Sequence, residues 1–192
     1  MDIQKFIEIM TLAERMKCNT RHSWTSTGRH ESVAEHSWRL CLMAYFIRDE
    51  FSEADMDKVL KMCLLHDIGE AFTGDIPSFL KTESDEAAEN IQVDNFVKNL
   101  PAYFREELIP LFHEMNALET PEARIYKALD KMEAILQHNE ADTSTWLPLE
   151  YELNLTYGVP EAEFSPYLKA LRDALKTMTI AKAPESYSAK IE

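Results

Sequence analysis

Glycine is scarce in this chain, with four in 192 residues, and nowhere do apolar and polar residues alternate over a strand-length window. Sheet proteins draw on both, glycine for tight turns and period-two alternation for half-buried strands, so their shortage argues against a sheet and predicts an all-α fold. Cysteine is also sparse. Cys18, Cys41 and Cys63 are odd in number and widely spaced, which excludes a disulfide framework and thiolate zinc motifs and leaves three reduced thiols, two of them on core faces. The apolar run Cys41 to Ile47 is far short of the ~20 residues that span a bilayer. The opening Met-Asp-Ile-Gln-Lys-Phe has no signal-peptide pattern, and the expectation is a cytoplasmic protein. Basic residues are outnumbered 20 to 34, giving a net charge of −14. Such a surface repels polyanions, so a nucleic-acid polymer is disfavoured as partner.

What is present is helical periodicity. Ile3 to Met16 is amphipathic, residues 19 to 30 read as a polar loop, and helices are predicted near 32–51, 54–68, 84–99, 101–117, 121–140 and 164–179. Thr120-Pro121 supplies an N-cap followed by a proline at the first helical position. Ser32-x-x-Glu35 forms a capping box, which gives Glu35 a sufficient structural role. Residues 141 to 163 look like an irregular crossing. With 45% hydrophobic residues, one substantial core and one domain over residues 1–182 are expected, followed by a loose tail at 183–192.

Four residues carry the chemistry. His66-Asp67 closes the apolar segment Val59 to Leu65, where two polar groups need partners. His36 lies in the first turn of a second apolar helix, and Asp130 sits on the margin of the stripe Ile125, Leu129, Met132. Two imidazoles and two carboxylates without thiolate suit one divalent cation, Co, Mn, Mg, Fe or Zn, in a site with open positions. The competing reading of Asp130 is a salt bridge to Lys127 or Lys131. Thr73-Gly74-Asp75-Ile76-Pro77 reads either as a turn or as a ligand contact, and His22, His30, His113 and His138 read as surface or helix-face residues.

The blocks Arg29-His-Glu-Ser-Val-Ala-Glu-His36-Ser and His66-Asp-Ile-Gly-Glu-Ala-Phe-Thr-Gly-Asp-Ile-Pro77, followed by Ala-Leu-Asp130-Lys, resemble the HD-domain metal-dependent phosphohydrolases. More narrowly, they are similar to the 5′-deoxynucleotidases, which remove phosphate from deoxyribonucleoside 5′-monophosphates. The resemblance covers roughly residues 1 to 150 and implies an HD-domain helical bundle that works as a homodimer on a small nucleotide. It implies His36, His66, Asp67 and Asp130 as metal ligands and Glu70 as the catalytic carboxylate. Arg21 would orient the substrate phosphate, and Asp75, Ile76, Pro77 and Ser78 would line the deoxyribose. Arg29 would bind phosphate or pair with an acid. His22 follows Arg21 where some members carry tryptophan, and Trp24 comes two residues later; which of the two meets the nucleotide stays open.

Other chemistries share the fold. A phosphodiesterase or a nucleoside triphosphate hydrolase is the nearer alternative, and the lack of further basic clusters in the sequence favours a monophosphate. A di-iron oxidase would need more ligands between Asp67 and Asp130, where His113 is the only histidine. A non-catalytic nucleotide sensor would use the same pocket without turnover.

Overall fold

The computed structural model describes residues 1–184, so most of the expected tail lies outside the described residues. Helix α1 (Ile3–Cys18) leads into a hairpin of β1 (Thr20–Trp24) and β2 (His30–Ser32), then α2 (Val33–Phe46), α3 (Met56–Leu65), α4 (Glu70–Thr73), α5 (Glu83–Lys98) and α6 (Ala102–Ala117). The long α7 (Pro121–Glu140) is followed by α8 (Pro148–Thr156), α9 (Val159–Ala162) and α10 (Pro166–Lys182). The fold is all-α but for this hairpin. No helix of the described residues is long and apolar enough to cross a membrane.

Helix boundaries follow the local code. Thr120 caps α7 through the Ala123 amide with Pro121 in the first turn, and Ser32 and Glu35 close a reciprocal capping box on α2. The core forms where α2 and α3 pack against α7. Val33, Leu40, Val59, Met62, Ile125, Leu129 and Met132 have no exposed surface. Burying each such side chain is worth roughly 1.5–3 kcal/mol. Cys63 belongs to this core, Cys41 packs against it, and Cys18 is exposed.

Two expectations need correction. Residues 19 to 30 are not simply a polar loop: β1 and β2 pair antiparallel, Thr20 with Ser32 and Trp24 with His30. Strands of five and three residues are too short to show an alternating pattern; β1 packs on α7, and β2 on α2 and α1. Residues 141 to 163 are likewise more ordered than an irregular crossing. Arg172, 2% exposed on α10, donates to the carbonyls of Asn154 and Tyr157 and so satisfies the C-terminal end of α8 from outside that helix.

Candidate metal centre and the cavity it faces

Three helices bring His36, His66, Asp67 and Asp130 to one point. His36 Nε2 lies 3.2 Å from His66 Nε2, 3.2 Å from Asp130 Oδ1 and 3.8 Å from Asp67 Oδ2. His66 Nε2 lies 3.0 Å from Asp67 Oδ2 and 3.7 Å from Asp130 Oδ1. Donors bound at about 2.0–2.2 Å to one cation stand about 3 Å from one another, so the spacing fits a shared ion.

The outer contacts make the fit sharper. His66 Nδ1 donates to the Cys63 carbonyl at 2.9 Å, which is possible because His66 follows the last residue of α3. His36 Nδ1 meets the carboxylate of Glu133. With both Nδ1 atoms engaged by acceptors, the two Nε2 atoms turn toward each other and toward two carboxylates, the arrangement in which a cation can take the place of the proton between them. Burial and the Arg21 guanidinium push the His36 pKa down, but Glu133 and Asp130 outweigh them and hold it at about 9, so an incoming cation displaces a proton. Burial works against ionisation of Asp67, yet the neighbouring imidazoles hold its pKa well below the carboxylate range. Asp130 serves both readings of its sequence: Oδ1 faces the histidines while Oδ2 accepts from Lys127 at 2.8 Å.

Asp67 and Asp130 open onto a cavity of about 420 Å³, a size suited to a small ligand. Arg21 and Glu70 line it beside them, and Asp75, Ile76, Pro77 and Ser78 form one wall. Arg21 sits on β1 among three carboxylates, 3.3 Å from Glu31 Oε2, 3.3 Å from Glu133 Oε2 and 3.9 Å from Asp75 Oδ1. That cage fixes the guanidinium with part of its fork toward the cavity.

Glu70 begins α4 and is 5% exposed, with Oε2 lacking a hydrogen-bond partner. Burial first, then the charges of Asp67, Asp75 and Glu89, push its pKa up to about 10. The preceding Gly69 is pressed against α5: a β-carbon there would stand 2.5 Å from Glu89 Cγ and 3.0 Å from Val93 Cγ2. Glu89 in turn holds Lys81, which lines the cavity.

Arg29 is not brought to this site. It is exposed and makes a two-pronged contact with Glu35, at 2.6 and 2.9 Å, outside the cavity. Trp24 does not line the cavity either; its ring packs against His30, with centroids 4.0 Å apart. His22 does line it, as a candidate for the nucleotide contact, and His138 reaches it from the face of α7. His113 is exposed, and the additional ligand a di-iron centre would require is not supplied there.

Some contributors had no distinct signal in sequence. Glu133 is fully buried and joins His36, Arg21 and Arg39; its only trace is the i,i+3 spacing from Asp130, which puts both on one face of α7. Glu31 is 2% exposed, and burial together with the charge of Glu133 raises its pKa to about 7. Lys81, just before α5, and Lys127 and Lys131, both on α7, converge on the cavity, so the absence of a basic cluster along the chain does not hold in space.

A model of the HD domain matches residues 13–172. The human 5′-deoxynucleotidase HDDC2 is 29% identical over 141 residues, 71% of this chain and 68% of the human protein. The dATP triphosphohydrolase of Cyanophage S-2L is 30% identical over 138 residues, 68% of this chain and 70% of the phage protein. Among solved structures, one described as a predicted metal-dependent phosphohydrolase from Magnetospirillum magnetotacticum MS-1 superposes with a TM-score of 0.78 at 26% identity, covering 95% of this chain and 94% of that one.

Proposed function

The chain belongs to the HD-domain family, and on that premise we propose that it is a metal-dependent phosphohydrolase releasing phosphate from deoxyribonucleoside 5′-monophosphates. The observation that carries this reading is the pair of imidazoles whose Nδ1 atoms are both engaged while their Nε2 atoms face Asp67 and Asp130.

His36, His66, Asp67 and Asp130 would hold a divalent ion, which supplies Lewis-acid charge and a water of lowered pKa. Arg21, caged by Glu31, Glu133 and Asp75, holds the substrate phosphate in a fixed orientation; positioning and charge neutralisation are what phosphoryl transfer mainly asks for. Glu70, carrying a proton in its buried position, gives it to the leaving 5′-oxygen. Asp75 to Ser78 close over the sugar. Exposed Trp38, Leu42, Tyr45 and Phe46 form an apolar stripe on α2 that supports a homodimer, and a cytoplasmic setting is in keeping with three free thiols.

A triphosphate substrate is the second reading. It is favoured by the convergence of Lys81, Lys127 and Lys131 on the cavity and by the likeness to a dATP triphosphohydrolase.

The test is phosphate release by metal-stripped protein with Co, Mn, Mg or Zn restored in turn, on deoxy- and ribonucleoside monophosphates, a cyclic nucleotide and a triphosphate. Metal-dependent release from the deoxynucleoside monophosphates is the expected result. Triphosphate cleavage instead selects the second reading, and no release from any substrate refutes both. In the same assay Arg29→Ala is expected to stay within about twofold of the parent, since its exposed pair with Glu35 lies outside the cavity. A large loss would return Arg29 to the site.

A further inference from the structure

At the far end of the cavity from Asp67 and Asp130, a second group of donors converges. His22 on β1, His138 near the end of α7 and Glu150 on α8 place three ligand atoms within 4.8 Å of one another. His138 stands eight residues beyond Asp130 on the same helix, so roughly 12 Å separates the two groups along α7. That is too far for the paired ions of a two-metal phosphatase, which sit about 3.5–4 Å apart. This group therefore needs its own explanation.

Glu150 is 1% exposed, and Oε2 accepts from the Leu147 amide at 2.6 Å. Its Oε1 lies 2.8 Å from His22 Nε2 and 3.5 Å from His138 Nε2, close enough for ion pairs if either ring is charged, yet neither contact has the alignment of a hydrogen bond and Oε1 has no hydrogen-bond partner. A buried carboxylate oxygen left in this state is costly. Donors that share a cation stand about this far apart while aiming at a common point and not at one another, which accounts for both the closeness and the misalignment.

The surroundings suit a metal-bound histidine. Asn154 Nδ2 stands 3.4 Å from His138 Nδ1, and rotation of that amide by 180° would bring its oxygen there to accept from Nδ1–H and free the Nε2 lone pair for a metal. Trp146 packs against the ring and donates to the His138 carbonyl, and Arg172 fixes the end of α8 that carries Asn154. All three ligands line the cavity, which gives a fourth position access to water.

We propose that His22, His138 and Glu150 form a second metal site, separate from the first, that takes a borderline divalent cation such as Zn(II) or Co(II). Two imidazoles, one carboxylate and an open position are a donor set these ions accept. The site stands on its own geometry and does not depend on which phosphate ester the protein cleaves.

The test is metal stoichiometry of the full chain by equilibrium dialysis against Co(II) or Zn(II), read by elemental analysis, with the visible spectrum of the Co(II) form. The parent is expected to bind two equivalents, Asp67→Ala/Asp130→Ala one, and that variant with Glu150→Gln added none. A Co(II) band should survive in Asp67→Ala/Asp130→Ala and vanish when Glu150→Gln or His138→Gln is added. The proposal is overturned if the parent saturates at one equivalent, if Asp67→Ala/Asp130→Ala binds none, or if Glu150→Gln retains two. The first two outcomes need no change at the new site, so they decide the matter even if substitution there impairs folding.

Discussion

Glu70→Gln is expected to lower turnover by about 10²–10⁴-fold while leaving KM and metal content close to those of the parent. Glutamine keeps the shape and hydrogen-bonding reach of the side chain but has no proton to give. Glu70 is built to carry one: it is buried, its Oε2 has no partner, and the charges of Asp67, Asp75 and Glu89 add to burial in holding its pKa near 10. The leaving 5′-oxygen of a nucleotide needs that proton, whereas a phenolate of low pKa does not. The defect should therefore shrink on an aryl phosphate such as p-nitrophenyl phosphate. Steady-state rates on the two substrates, with metal measured in each preparation, separate the outcomes. Undiminished turnover on the nucleotide would remove Glu70 from the proposed mechanism, and an equal loss on both substrates would make it a positioning group.

Glu133→Ala carries the largest expected cost in stability, about 3–5 kcal/mol, because it strips a buried carboxylate from between charged partners. Glu133 has no exposed surface; Arg39 Nε lies 2.6 Å from Oε1, Arg21 Nη1 lies 3.3 Å from Oε2, and His36 Nδ1 meets Oε2 as well. Without it both guanidiniums lose a neutralising neighbour, and the His36 ring loses the acceptor that turns Nε2 toward Asp67 and Asp130. Removal of such an outer partner typically costs 10–100-fold in metal affinity. Equilibrium urea denaturation and a metal titration on Glu133→Ala test the two effects apart. A denaturation midpoint equal to that of the parent would show that Arg21 and Arg39 find other partners, and an unchanged affinity would show that His36 is held by its packing alone.

Residues that act through their neighbours in sequence were legible there. The capping box of Ser32 and Glu35, the Thr120-Pro121 start of α7 and the His66-Asp67 step at the end of α3 are local codes, and each element lies within a few residues of its expected place. The four proposed metal ligands stand in the first turn of α2, at and just after the end of α3 and within α7, and it was the family resemblance that grouped them. Contacts between distant segments were not legible. The salt bridge from Glu133 to Arg21 joins positions 112 apart, and His22, His138 and Glu150 meet only because a hairpin and α8 form where neither was expected. For Arg29 the sequence left two partners open, a phosphate or an acid, and the contact present is with Glu35, an exposed acid six residues on.

Gly69 sits in the middle of the His66-to-Glu70 segment yet touches none of its chemistry. Its lack of a side chain lets Glu89 and Val93 of α5 lie directly against the backbone that joins Asp67 to Glu70. Glu89 cannot swing clear without releasing Lys81 from the cavity wall. The size of the residue at 69 and the reach of the residue at 89, twenty positions apart, are thus a single degree of freedom: a chain that gains a methyl group at one has to surrender bulk at the other.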